Sequence, residues 1–520
     1  MKNPFTRREF LAEVGRGMLA GAVGAGLARE LNFSPAVAAD APETLDFGTM
    51  EPLVRFMQET PANQFVPALA AKLKGGTDLR TLVAAGALAN ARTFGGEDYV
   101  GFHTMMALSP ALRMSRELPA DSQALPVFKV LYRNTNRIQE KGGRKEEVLH
   151  PVHPADLEAG RSGAEALHEA VRQKNVDEAE RIFARLAQAK PGDALDQLLN
   201  TVEDHTEVHR VVLPYRAWDL LDLIGQEHAH TLLRQSVRYC VKNDYGPRSD
   251  SPGEPRVLLP KMLDQYKLLD RTAGTREADD HWVDELSQTI FKSTPEQAGE
   301  AAASALAEGF SPAVVGEAVS LAANQLILRD QGRRPFEEAQ GKPLGSVHGD
   351  SIGVHACDSA GAWRNLARVS HPRNTYACLI LGASQVALDR TNRGGDFLHW
   401  EPLPLRGQLN SVNTTDAAEL LRQMDEAVRQ NLQARAAALV AKYGELGFEP
   451  RPVFDVMLRY AVSEDGSLHA EKFYRTVVEE FGTTRPAFRW RQLVALARVT
   501  ASEYGRPAPG LAEAREILKA

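Results

Sequence analysis

The sequence predicts an all-α protein, built as an array of helical hairpins or a multi-helix bundle. Three observations lead there. From Asp78 onward apolar residues recur with a period near 3.6, no segment sustains strand alternation, and no glycine-rich phosphate turn joins a strand to a helix. Leu79, Leu82, Val83, Gly86, Ala87 and Asn90 share one stripe, with Thr77 or Asp78 as the N-cap. Ala164, Leu167, Val171, Val176, Ala179, Ile182, Phe183 and Leu186 read as a helical hairpin broken near Lys174-Asn175. Leu195, Leu198, Leu199 and Val202 open a further helix. Ala417 to Tyr443 reads as one long helix with alternating charges, and Trp490 to Tyr504 as another. The breaks are Glu140–Lys145 with Pro151 and Pro154, Asn243–Pro255, Gln331–Gly349 and Thr391–Gly407, all rich in loop-forming residues.

The first forty residues read as an address. Thr6-Arg7-Arg8-Glu9-Phe10-Leu11 precedes a weakly apolar, Gly/Ala-rich run from Gly17 to Ala28, and Ala36-Val37-Ala38 supplies small residues for a cleavage site. This arrangement resembles a bacterial twin-arginine export signal. The expected organisation is a signal at 1–38, an N-terminal helical half at 39–245 and a C-terminal half at 246–520. The expected location is periplasmic, with the export machinery as a partner. The apolar run is too short for a stable membrane anchor.

With 43% hydrophobic and 25% charged residues, the chain is too apolar to be a disordered polymer and too charged to be a multi-span membrane protein. A net charge of −7 leaves no basic excess to neutralise phosphates, which argues against nucleic acid as a partner. Cys240, Cys357 and Cys378 are too few for a disulfide framework. The chain lacks Gly-x-Ser-x-Gly, His-Glu-x-x-His, Cys-x-x-Cys and Cys-x-x-Cys-His, so the simplest hydrolase, metalloprotease, thioredoxin-like and attached-haem readings fall away.

What recurs is a helix with one histidine near its start. His209 is followed by Ala217, Trp218 and Leu221; His355 is followed by Ala362, Trp363 and Leu366. His103 and His469 head two more helices, a spacing compatible with a duplicated helical unit. Imidazole is the commonest metal ligand and titrates near neutrality, so four such helices could build a metal, haem or acid–base site inside a bundle. His103, His209, His355 and His469 are the candidate catalytic residues, with His209 and His355 as candidate metal ligands. His205 stands four residues before His209, one turn away on a continuous helix, and Glu203, Asp204 and Glu207 supply carboxylates nearby. His205 and Asp358 are assigned as cofactor-site partners that orient the rings. Cys357 reads as a small packed residue rather than a nucleophile.

Gly353-Val354-His355-Ala356-Cys357-Asp358 also resembles the last motif of the acid phosphatase and vanadium haloperoxidase family. His355 and Asp358 lie one residue closer together than in that motif, and Ile327 stands where the family has an upstream lysine. Phe102-His103-Thr104, Val208-His209-Arg210-Val211-Val212, Gly353-Val354-His355-Ala356 and His469 with Lys472-Phe473, joined by Gln226-Glu227-His228-Ala229, resemble the questin oxidase-like family and its exported bacterial relatives. That resemblance implies a helical oxidoreductase-like fold with histidines facing an internal cavity. The activity it implies is oxidative ring opening of an aromatic polyketide, NADPH-dependent in the family. After the third fragment the family pattern continues Val-Thr, where this chain has Cys357-Asp358. Reduced nicotinamide is not maintained outside the membrane, so an exported member needs another electron source. The expectation is therefore an exported oxidoreductase-like protein with a histidine-lined pocket for a small-molecule substrate. The competing expectation is a non-catalytic helical-repeat protein that binds a ligand or acts as a scaffold.

Overall fold

The computed structural model describes residues 43–157, 160–247, 249–338, 344–349, 351–391 and 397–519. The twin-arginine signal lies outside them. Among the described residues the fold is all helix, with no strand and two isolated bridges. In chain order the helices are α1 (Glu51–Glu59), α2 (Ala62–Lys74), α3 (Leu79–Phe94), α4 (Tyr99–Ser115), α5 (Leu125–Glu140), α6 (Gly163–Arg172), α7 (Val176–Leu186) and α8 (Pro191–Val202). They continue as α9 (Val208–Ile224), α10 (Ala229–Lys242), α11 (Pro255–Gln265), α12 (Asp280–Lys292), α13 (Pro295–Ala307), α14 (Pro312–Arg329), α15 (Ile352–Val369) and α16 (Pro372–Thr391). The last are α17 (Arg406–Asn410), α18 (Ala417–Arg429), α19 (Gln433–Glu445), α20 (Arg451–Ser463), α21 (His469–Thr483), α22 (Trp490–Glu503) and α23 (Leu511–Lys519).

Local chemistry sets the ends. Asp78 caps α3 by accepting the Thr81 N–H at 2.7 Å, and the hairpin of α6 and α7 turns at Lys174, whose φ is +56°. One expectation needs correction. Ala417 to Tyr443 is two helices rather than one, because Asn431 takes a left-handed conformation with φ +54°. Its amide donates to the carbonyls of Ala501 at 2.8 Å and Tyr504 at 2.9 Å, so the break is tied to α22. Alternating charges gave no warning of it.

Four helices form the centre of Leu45–Ala520, which is one compact unit. The α4 helix packs on α9, α9 on α15, α15 on α21, and α21 back on α4. All four point the same way: each carries its histidine at its N-terminal end, and their C-terminal halves line one groove of about 650 Å³. Parallel neighbours cannot be joined by tight turns, and the helices between them in the chain serve as the long crossovers. The boundary expected at 245/246 falls in the loop after α10, and both sides of it contribute two helices to this ring. Because α4, α9 and α15 are covered on nearly every side, their sequences lack a polar face.

Close approach of α15 to α14 sets the height of His355. A Cβ on Gly353 would lie 2.6 Å from Ile327 Cγ1 and 2.8 Å from the Ile327 nitrogen. Gly353→Ala is therefore expected to cost about 1–3 kcal/mol through overpacking against backbone, read as a lowered urea midpoint. An unchanged midpoint would show that the two helices can separate freely.

Candidate functional site

Each histidine helix begins with its own device. Asp98 caps α4 by accepting the Gly101 N–H at 2.8 Å, and Ser351 caps α15 through the Val354 N–H at 3.3 Å. Glu207 caps α9, accepting the N–H groups of His209 and Arg210, each at 3.1 Å. The α21 helix has no side-chain cap. It follows Gly466, Ser467 and Leu468, three successive residues at φ +49°, +50° and +67°. Two non-glycine residues in that region cost roughly 1–2 kcal/mol each, and they aim His469 inward from the first residue of its helix.

The four rings meet. His103 and His209 face each other with Nε2···Nε2 at 3.3 Å, and His355 and His469 do the same at 3.3 Å. Ring centroids lie 5.2 Å apart for His103 and His469 and 5.9 Å for His209 and His355, so two pairs close into one ring. His103 and His469 are buried, while His209 and His355 are part-exposed. Tyr99, Phe102 and Tyr239 wall one side: the Phe102 ring is 5.1 Å from His209 and 5.3 Å from Tyr239. Gly349 backs the other side, where a Cβ would fall 2.3 Å from His469 Cβ.

Hydrogen bonds fix two tautomers. His103 Nδ1–H donates to the Tyr99 carbonyl at 2.7 Å, because a carbonyl can only accept. His209 Nδ1–H donates to Glu207 Oε1 at 2.5 Å, and Tyr239 OH donates to the same carboxylate at 2.8 Å. Desolvation would raise the Glu207 carboxyl, but His209 and these hydrogen bonds hold it down to about 2, so it is ionised at neutral pH. With both Nδ1 positions committed as donors, the neutral forms of His103 and His209 would turn lone pairs at one another. Only a cation between them, a proton or a metal, makes a 3.3 Å contact attractive.

Burial first, then Lys472 and the neighbouring imidazoles, hold His103 and His469 well below the usual imidazole range. Four converging helix N-termini add positive potential and favour the neutral rings further. One turn below the ring stand Lys472 on α21 and Asp358 on α15. Burial raises the Asp358 carboxyl, against the pull of Lys472 and Arg216, and Thr476 Oγ1–H donates to it at 2.8 Å. Arg216 donates to Thr476 at 3.0 Å and to Glu479 at 3.3 Å, continuing this polar seam toward the groove at the far end.

Two sequence assignments are corrected by this geometry. His205 is not a turn above His209: the Glu207 cap starts the helix at Val208, and His205 sits in the preceding loop. It faces Arg256 at 3.3 Å and Asp244 at 3.9 Å, in a separate charged cluster with Asp204, Arg172 and His168. Asp358 accepts from Thr476 rather than orienting an imidazole; the Tyr99 carbonyl and Glu207 do that work. His209 and His355, the candidate metal ligands, each face a different partner, His103 and His469. A haem between two rings would hold their Nε2 atoms about 4 Å apart, two bonds of roughly 2 Å, and the 3.3 Å contacts leave no layer for it. Among the described residues, no group of three or more His, Cys, Asp or Glu is disposed to hold one metal ion. Cys357 is buried and its thiol is pushed well up by burial, as suits a packed residue.

Sequence reasoning missed Lys472, Arg216 and Thr476. A signal was present: His469 and Lys472 share the i, i+3 spacing of His355 and Asp358, which puts each charge one turn beneath its ring. No protein-family model, curated protein or solved structure matches this chain.

Proposed function

We propose that the chain is an exported enzyme of oxidoreductase type whose reacting centre is the histidine ring, working by proton transfer between paired imidazoles. The observation that carries it is the 3.3 Å contact of His103 Nε2 with His209 Nε2 while both Nδ1 atoms donate elsewhere. One proton fits between them. The Glu207 carboxylate pairs with His209 on one side, and burial holds His103 toward its neutral form on the other. The aromatic wall of Tyr99, Phe102 and Tyr239 suits a flat substrate, and the part-exposed His209 and His355 give it access. The questin oxidase-like resemblance supports the oxidoreductase class and makes aromatic polyketides the first compounds to assay. The twin-arginine-like start supports a periplasmic location. Among the described residues no helix is long and apolar enough to cross a membrane. A scaffold role gives no reason to place two imidazole pairs at the positive ends of four helices.

Nitrogen-15 NMR of the imidazoles tests the reading. The expected result is one protected ring N–H on His209, coupled across the hydrogen bond to His103 Nε2 and lost in His103→Gln. Two neutral rings with no shared proton would overturn it. A second reading rests on the pair separation, since 3.3 Å matches one edge of a tetrahedral site with bonds of about 2.0–2.1 Å. Stoichiometric metal in protein matured through the export route, released by His103→Gln, would favour that reading instead.

A further inference from the structure

Beneath the ring lies a group that the imidazole pairs leave unused. Lys472 follows His469 by one turn, so its amine and that imidazole lie on the same face of α21. The side chain is 3% exposed, and among the described residues it makes no hydrogen bond and no ion pair. The two carboxylates that act on it are already engaged: Asp358 by Thr476, and Glu471 by Lys129 at 2.5 Å. A buried, unbonded ammonium is costly, whereas a neutral amine in such a setting is a nucleophile.

We infer that Lys472 is an imine-forming residue of the histidine site, and that the substrate class is a ketone or aldehyde. This rests on the histidine ring being a reacting centre. The Nζ lone pair adds to the carbonyl carbon, a C–N bond forms, and the C=O π pair moves to oxygen, which takes a proton. The carbinolamine then loses its hydroxyl as water while Nζ gives up its proton. Amine and carbonyl become imine and water, and no oxidant is consumed. His469, one turn away on the same face of α21 and with its Nδ1 free of any hydrogen-bond partner among the described residues, is the group that carries these protons. Burial, reinforced by Arg216, pushes the amine down to about 8, so a useful fraction is unprotonated at neutral pH. The imine in turn acidifies the neighbouring C–H, whose proton the same imidazole can accept.

The test uses the full chain with propanal and cyanoborohydride at pH 7, followed by peptide mapping. Lys472 is expected to be alkylated at least about tenfold faster than the exposed Lys74 and Lys174. Lys472→Arg, checked for an unchanged urea midpoint, should lose that labelled peptide alone. Labelling of Lys472 no faster than of Lys74, or only in urea, would overturn the inference. The readout is on a lysine and the shared-proton test is on imidazoles, so either reading can fail while the other stands.

Discussion

Replacing Lys129 by methionine is expected to lower the stability of the folded chain by about 3–5 kcal/mol, because it strands a buried carboxylate. Lys129 and Glu471 pair at 2.5 Å with both side chains 0% exposed. The same ammonium donates to the carbonyls of Ala461, at 2.9 Å, and Glu464. In Lys129→Met those carbonyls lose their donor and Glu471 loses the ammonium it pairs with. The measurement is the urea midpoint of Lys129→Met against Lys129→Met/Glu471→Leu. The double variant should recover most of the loss, since an apolar pair of similar volume can replace a buried ion pair with little penalty. A double variant no more stable than the single one would mean that Glu471 is not the stranded group. The pair matters to the site because the carbonyls it holds lead directly into the left-handed turn before His469.

What was readable in advance follows from what one-dimensional patterns encode. Periodicity and caps are local, so Asp78, the α6–α7 hairpin and the limits of α22 lie where apolar spacing puts them. The histidine helices were readable as a set because each ring falls in the first turn or two of its helix. That each ring has a partner depends on crossovers of about ninety residues or more, which no spacing rule covers. The misplacement of His205 has a definite cause: the i, i+4 rule presumes an unbroken helix, and Glu207 starts one between the two histidines. Asn431 breaks α18 from α19 for a reason that lies on α22. Lys472 and Asp358 were visible as residues, but their value comes from being buried under rings on other helices, a property of packing. The tautomers of His103 and His209 were likewise invisible, since one depends on a backbone carbonyl and the other on a capping carboxylate.

The stability of the His469 turn is expected to fall as the pH rises from 4.5 toward about 8, with Glu503 as the responsible group. Burial lifts its carboxyl from the ordinary 4.5 to about 8; the Gly349 N–H, Lys129 and Arg506 pull it back and Glu471 pushes it further. The folded state therefore holds a proton between pH 4.5 and 8 that the unfolded state has released. Stability linked to this group is fully present below the lower value and is lost progressively toward the upper one. A displacement of that size corresponds to roughly 4–5 kcal/mol across the window. Glu503→Gln keeps an oxygen to accept the Gly349 N–H, 3.0 Å away in the native chain, but cannot ionise. Its urea midpoint should match the parent within about 1 kcal/mol at pH 5 and exceed it by several at pH 9. A difference independent of pH would assign the lost stability to some other group. Gly349 is the residue whose missing Cβ lets the backbone press on His469, so ionising Glu503 disturbs the seat of one histidine before it disturbs the fold at large. Any activity of the ring should therefore decline at alkaline pH in the parent and persist to higher pH in Glu503→Gln, and a coincident decline in both would trace the loss to the imidazoles themselves.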